Sequence, residues 1–140
     1  YYVTLRKDPF QEARMLRLHF PLDFERMNVA AERLLHFTDF TSFSKLHTDV
    51  KTNNCRVTEA YWQPGAEEGQ WIFTITADRF LRNMVRAVVG TLFQVGKGKL
   101  SVEDFAAVVE AKDRGRAGSS APGHALYLEA VGYPEELYLD

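Results

Sequence analysis

Residues 56–95, RVTEAYWQPGAEEGQWIFTITADRFLRNMVRAVVGTLFQV, contain the signals that decide the fold of this chain. Residues 56–62 and 71–76 are rich in β-branched and aromatic side chains, and a stretch of Gly, Pro and Glu separates them. Two such segments joined by turn residues predict an antiparallel hairpin. After them, Asp78 is the expected N-cap of a helix over residues 79–95, whose apolar positions recur at helical spacing.

The segments on either side complete an α+β pattern. We expect a strand at residues 1–5, a short extended segment at 15–20, and a helix over 23–36 with its first residue as N-cap. A further helix follows Ser101, which begins a motif resembling a capping box, and a last strand covers residues 126–133. This order predicts an α+β domain with a mostly antiparallel sheet and helices packed on one face.

Length and composition fit one folded domain and exclude several classes of protein. The 140 residues are 46% apolar and 26% charged, as in ordinary globular domains, and no run approaches the ~20 apolar residues of a membrane span. The single Cys55 excludes an internal disulfide and is expected to be a packing residue, and no two histidines have metal-ligand spacing. We therefore expect no metal, and because the first residue is Tyr rather than Met we expect a piece of a longer protein.

The charge is unevenly distributed along the chain. Residues 79–116 contain eight Lys or Arg and four Asp or Glu, a net charge of +4, whereas the rest of the chain carries −6. A basic segment in an otherwise acidic chain indicates a polyanionic partner, although a solvated helical face would give the same pattern.

Three arginines of this basic segment stand at helical spacing. Arg79, Arg82 and Arg86 lie at i, i+3 and i+7, so they are expected to share one helix face beside the apolar stripe. Such arginines could clamp a phosphate or pair with a carboxylate through two parallel hydrogen bonds. The alternative is a solvated face whose arginine stems cover apolar surface.

Two loops carry further polar candidates. In residues 38–43, two phenylalanines can anchor a turn, while the neighbouring Thr and Ser hydroxyls could contact phosphate or cap the backbone. In residues 112–122, Lys112, Arg114 and Arg116 alternate with small residues, which would let a polyanion approach closely. The alternative for this second loop is an ordinary connection.

Several segments together resemble the C-terminal half of the TruA-type tRNA pseudouridine synthases, in the order and spacing of that family. Each piece is weak alone, but the MVR…VG helix followed by KDR and AG…AP is specific as a set. The matching segments are DFTSF (39–43), FLRNMVRAVVGTL (80–92), VGKG (95–98), KDR (112–114), AGSSAP (117–122), LYL (126–128) and YP (133–134).

The resemblance implies an enzyme that isomerises uridine to pseudouridine at positions 38 to 40 of the tRNA anticodon stem-loop. It also implies a cytoplasmic homodimer that binds tRNA and needs no cofactor. The essential Asp of the family lies in an N-terminal half that no segment here matches, so it is not assigned to Asp39, Asp78 or Asp113. We therefore expect residues 1–140 to form a single C-terminal domain that is inactive alone.

The resemblance also assigns roles to individual residues. Arg86 corresponds to the arginine that pairs with the catalytic Asp, and Leu126 to the leucine that lines the uracil pocket. Tyr1 matches a tyrosine of the strand that stacks on the target base, either as the stacking residue or two positions after it. Arg79, Arg82 and the three basic residues of the 112–122 loop are expected to contact RNA.

Two features depart from the family pattern, and they bear on local loop shape more than on function. Ala125 stands where the family usually has Gly before the pocket leucine, and residues 36–38 replace a frequent Gly-Glu-His.

The sequence also leaves two other functions open. One alternative to a synthase domain is a non-catalytic RNA-binding or interaction module. Another is a small ferredoxin-like enzyme acting on a small anion, with the arginines as its clamp.

Overall fold

The computed structural model describes residues 1–6, 13–45 and 52–128. Within these ranges the chain forms four strands and three α-helices. They are β1 (Tyr2–Thr4), β2 (Leu16–Arg17), α1 (Phe24–Glu32), β3 (Val57–Pro64), β4 (Gln70–Ala77), α2 (Met84–Gly96) and α3 (Val102–Ala111). Short 3₁₀ turns occur at Arg33–His36, Thr41–Phe43, Arg114–Arg116 and Gly123–Ala125.

The strands form one sheet in the order β2-β1-β4-β3. The predicted hairpin is confirmed, because β3 and β4 pair antiparallel with Trp62 opposite Phe73. Strand β1 pairs antiparallel with β4, and the short β2 pairs parallel with β1. The sheet is therefore mostly antiparallel, and the α+β class expected from the sequence is confirmed.

The helices cover one face of this sheet and enclose an aromatic core. Trp62 contacts the rings of Phe24, Phe73 and Phe93 at centroid distances of 5.4, 5.0 and 6.2 Å. Helix α1 buries one apolar face against α2, α3 and β3. Its buried residues are spaced three and four apart, which is the helical periodicity that the sequence shows.

Helix α1 follows the sequence expectation closely. The Asp23 carboxylate accepts a hydrogen bond from the backbone nitrogen of Arg26 at 3.0 Å, so Asp23 is the N-cap. The last turn tightens into the 3₁₀ geometry of Arg33–His36. From the middle of α1, the Asn28 amide donates to the carbonyl of Trp62 and accepts from its backbone nitrogen, which satisfies the outer edge of β3.

Helix α2 begins later than the periodicity predicts, at Met84 rather than at residue 79. Asn83 adopts a left-handed conformation with φ 68°, which breaks the helix before that point. Asp78 does not cap α2, because its carboxylate accepts a hydrogen bond from the backbone nitrogen of Arg56 at 2.7 Å. The prediction that Arg79, Arg82 and Arg86 share one helix face is therefore wrong, since only Arg86 lies in the helix.

The expected last strand is not present in its described part. Residues 126–128 pair with no strand, and residues 129–133 lie outside the described residues. In the part of the chain that the structure describes, no helix is long and apolar enough to cross a membrane.

Candidate active site

A cavity of about 560 Å³ lies where β1 and β4 meet the residues that precede α2. The extended segment 126–128 forms another wall. Four residues singled out in the sequence line this cavity together, namely Tyr1, Arg82, Arg86 and Leu126. The other four (Arg79, Lys112, Arg114 and Arg116) do not line it.

Arg86 is fixed in this cavity by a backbone carbonyl. It lies in the first turn of α2, and its Nε donates to the carbonyl of Ala121 at 2.7 Å. The backbone nitrogen of Ala121 in turn donates to the carbonyl of Arg86 at 2.9 Å. No carboxylate of the described residues pairs with this guanidinium, so its terminal nitrogens can receive one.

Tyr1 forms a rigid wall next to Arg86. Its side chain is 4% exposed, and its hydroxyl donates to the carbonyl of Pro122 at 2.6 Å. Burial raises the pKa of the Tyr1 hydroxyl from 10.0 to about 12, and the nearby positive charge of Arg86 opposes this rise. Tyr1 therefore stays neutral at physiological pH and acts as a hydrogen-bond donor.

Leu126 and two tyrosines extend the apolar wall. Leu126 is half-buried, and its backbone nitrogen donates to the carbonyl of Gly123 at 3.1 Å. Next to it, the exposed ring of Tyr127 meets Tyr2 edge to face, with centroids 5.3 Å apart. Sequence reasoning missed Tyr2 and Tyr127 as lining residues, although each directly follows a residue that was identified.

Lys45 is a second residue that sequence reasoning missed. Its backbone nitrogen donates to the carbonyl of Arg82 at 3.2 Å, and both exposed side chains line the cavity with Arg86. None of the described residues that line the cavity is Asp or Glu. The site is therefore cationic, which suits an anionic ligand or a carboxylate brought from outside the described residues.

Residues 117–122, which we call the strap, hold this arrangement against α2. Gly90 makes the close approach possible, because a Cβ there would lie 1.7 Å from the carbonyl oxygen of Ser119. The backbone nitrogen of Gly118 donates to the hydroxyl of Thr91 at 2.9 Å. The strap thus carries the two carbonyls that bind Arg86 and Tyr1.

The five residues expected to contact RNA lie in different environments. Arg79 donates to the carbonyls of Thr52 and Asn54 at 3.0 and 3.2 Å, and Arg114 donates to the strap. Arg82 and Arg116 are exposed. Lys112 is also exposed and lies 3.8 Å from the Asp39 carboxylate.

Two hydroxyls of the 38–43 loop, those of Thr41 and Ser42, bind partners within the protein. The Thr41 hydroxyl donates to Asp39 at 2.6 Å, and this bond is the main cause of the lowered pKa of the Asp39 carboxyl. The Ser42 hydroxyl donates to the carbonyl of Val108 and accepts from the backbone nitrogen of Asp113. These contacts tie the loop to the end of α3.

The remaining titratable candidates do not form a reactive site. Cys55 is buried, its sulfur lies 3.9 Å from that of Met84, and burial raises the pKa of its thiol. Among residues 1–6, 13–45 and 52–128, no group of three His, Cys, Asp or Glu side chains could hold a metal ion.

The sequence of this chain matches known proteins of one family. A family model described as tRNA pseudouridine synthase matches residues 30–134. The tRNA pseudouridine synthase A of Porphyromonas gingivalis is 68% identical over 139 residues, which are 99% of this chain and 55% of that protein. The enzymes of the same name from Bacteroides fragilis and Bacillus subtilis are 58% and 40% identical, and the matches cover 99% and 95% of this chain and 54% of each relative. The chain therefore spans about half the length of the relatives that it matches.

Proposed function

Because this chain belongs to the tRNA pseudouridine synthase family, we propose that it completes the active site of an enzyme that converts uridine to pseudouridine in tRNA. The proposed target is the anticodon stem-loop at positions 38 to 40. In this proposal the chain is the C-terminal domain, and the catalytic Asp comes from another part of the enzyme.

Arg86 is the proposed partner of that catalytic Asp. Its Nε is bound to the carbonyl of Ala121, which leaves the terminal nitrogens to bind a carboxylate side by side. A cation next to a carboxyl group favours the charged form of that group, so the Asp would remain ionised and ready to attack. The absence of Asp and Glu from the described lining residues supports a site that is completed from outside.

The cavity would hold the target base after it leaves the RNA stack. A base inside a stem-loop is inaccessible, and enzymes that act on bases flip them into a pocket with apolar walls and polar anchors. Leu126 is the proposed apolar wall, and Tyr1 a second wall whose hydroxyl is fixed by Pro122. The site would release the uracil, allow it to rotate and rejoin it to the sugar through carbon.

The exposed cations near the cavity are the proposed contacts of the tRNA backbone. Lys45 and Arg82 line the cavity, while Lys112 and Arg116 lie on the 112–122 loop and do not line it. Contacts of this kind give an affinity that falls as salt rises. We further propose that the full-length enzyme is a cytoplasmic homodimer.

The position of Arg86 in the cavity wall, held by the carbonyl of Ala121, is the observation that carries this proposal, and it leads to a direct test. Arg86→Ala in the full-length protein should lower the rate of pseudouridine formation in unmodified tRNA by roughly 100-fold or more, because the Asp loses its cationic partner. Arg86→Lys should recover only part of the rate, since a lysine cannot make two parallel bonds.

Arg33→Ala is the matched control for the test, because Arg33 is an exposed arginine in the 3₁₀ turn after α1 and does not line the cavity. It should retain the wild-type rate. A near-normal rate for Arg86→Ala would refute the assigned role. Tight tRNA binding without pseudouridine formation in the wild type would favour a non-catalytic RNA-binding module instead.

A further inference from the structure

We propose that Arg114 is a positioning residue for Arg86 and does not contact phosphate. This inference rests on the proposed function, and it concerns an arginine in the same basic loop as the exposed Lys112 and Arg116. A chain of hydrogen bonds runs from Arg114 through the strap to Arg86 in the cavity wall.

The Arg114 guanidinium binds the strap through two hydrogen bonds. Its Nη1 donates to the carbonyl of Gly118 and its Nη2 to the hydroxyl of Ser120, each at 3.0 Å. The planar fork of a guanidinium holds two acceptors at a fixed separation, which a lysine ammonium cannot do. The side chain is half-buried, whereas its neighbours in the loop are exposed.

The Ser120 hydroxyl links Arg114 to the start of α2. It also accepts a hydrogen bond from the Asn83 amide at 2.5 Å. A hydroxyl has two lone pairs, so these two donors fill its acceptor capacity. Asn83 is the left-handed residue that precedes α2, three positions before Arg86, and the chain of bonds therefore reaches the helix turn that carries Arg86.

The next two residues of the strap set the geometry of the site. The carbonyl of Ala121 binds Arg86, and the carbonyl of Pro122 binds the Tyr1 hydroxyl. A shift of the strap would move both acceptors together. Gly90 lets the strap lie directly on α2, and Arg114 holds it at Gly118 and Ser120.

Kinetics in the full-length enzyme can separate positioning from phosphate binding. If Arg114 positions the strap, Arg114→Ala should lower kcat by roughly 10- to 100-fold, as loss of a supporting contact or a small misplacement of a catalytic group does. The KM for tRNA and the dependence of tRNA affinity on salt should stay at their wild-type values. Arg116→Ala is the matched comparison, and it should raise the KM for tRNA. It should also reduce the salt slope, which is the slope of log affinity against log salt concentration, by roughly 1, as expected for the loss of one phosphate contact.

Two further variants keep the inference testable if Arg114→Ala does not fold. Ser120→Ala removes the shared hydroxyl without removing a charge, so it should lower kcat and leave the salt slope unchanged. Arg114→Lys keeps the charge but loses the fork, and it should behave like Ser120→Ala. A raised KM and a reduced salt slope with normal kcat in Arg114→Ala, or wild-type kcat in both conservative variants, would overturn the proposal.

A spectroscopic measurement separates this inference from the proposed function. The Nε–H of Arg86 should exchange slowly with solvent in the full-length protein, and Ser120→Ala should speed its exchange, as followed by nuclear magnetic resonance with labelled arginine. If the wild type forms no pseudouridine, the proposed function fails, and this exchange rate still decides the role of the strap. An unchanged rate in Ser120→Ala would contradict the inference.

Discussion

At the scale of single residues, the site depends on two consecutive backbone carbonyls. Those of Ala121 and Pro122 accept hydrogen bonds from Arg86 and Tyr1, so a six-residue segment sets the direction of both side chains. The Tyr1 hydroxyl is buried where its ionised form is poorly solvated, which explains why its pKa rises although a cation lies nearby.

The raised pKa of Tyr1 predicts a loss of stability at high pH. The unfolded chain releases this proton near pH 10, while the folded protein retains it until about pH 12, so the free energy of unfolding should fall between these values. Denaturant titrations of the wild type and of Tyr1→Phe should show a smaller fall in the variant. Parallel pH profiles for the two proteins would contradict the assigned burial.

At the scale of elements, helix α2 and the strap act as one unit. Gly90 lies in the middle of α2, where alanine is intrinsically better by about 1 kcal/mol. The strap reverses this preference, because a Cβ would clash with the carbonyl oxygen of Ser119. The same contact explains why the segment after Gly118 follows the helix so closely.

Gly90→Ala therefore tests the packing of the strap. It should lower the free energy of unfolding by more than about 1 kcal/mol, because the backbone of the strap must move. Ala107→Gly on the exposed side of α3 is the matched control. It should lower the free energy of unfolding by about 1 kcal/mol through helix propensity alone. A stabilising Gly90→Ala, measured by urea unfolding, would show that the strap does not pack as described.

The elements also show what a sequence can and cannot predict. The β-branched and aromatic residues of 56–62 and 71–76, with turn residues between them, identified the hairpin, and the Asp23 cap identified the start of α1, because these signals are local. The start of α2 was misplaced because residues 79–83 keep a helical pattern, while the left-handed Asn83 leaves no periodic signal. Lys45 was missed because its partner, Arg82, is distant in sequence and only the fold brings them together.

At the scale of the whole molecule, the net charge of −2 conceals a cationic cavity. Lys45, Arg82 and Arg86 line it, and no acidic residue of the described chain does. The Arg86 guanidinium, which no carboxylate of the described residues pairs with, lies in a cavity with apolar and aromatic walls that would suit a carboxylate and a flipped base. The chain covers 55% of its Porphyromonas gingivalis relative. In the function proposed above, the partner carboxylate would come from outside the described residues.

Mapping of pseudouridine at single-nucleotide resolution tests the central claim most directly. Unmodified tRNA incubated with the full-length protein should gain pseudouridine at positions 38 to 40. The same tRNA incubated with Arg86→Ala should gain little at those positions, while its binding stays close to that of the wild type. Pseudouridine formed equally by both proteins, or no pseudouridine with the wild type despite tRNA binding, would contradict the claim that this cavity completes a pseudouridine synthase site.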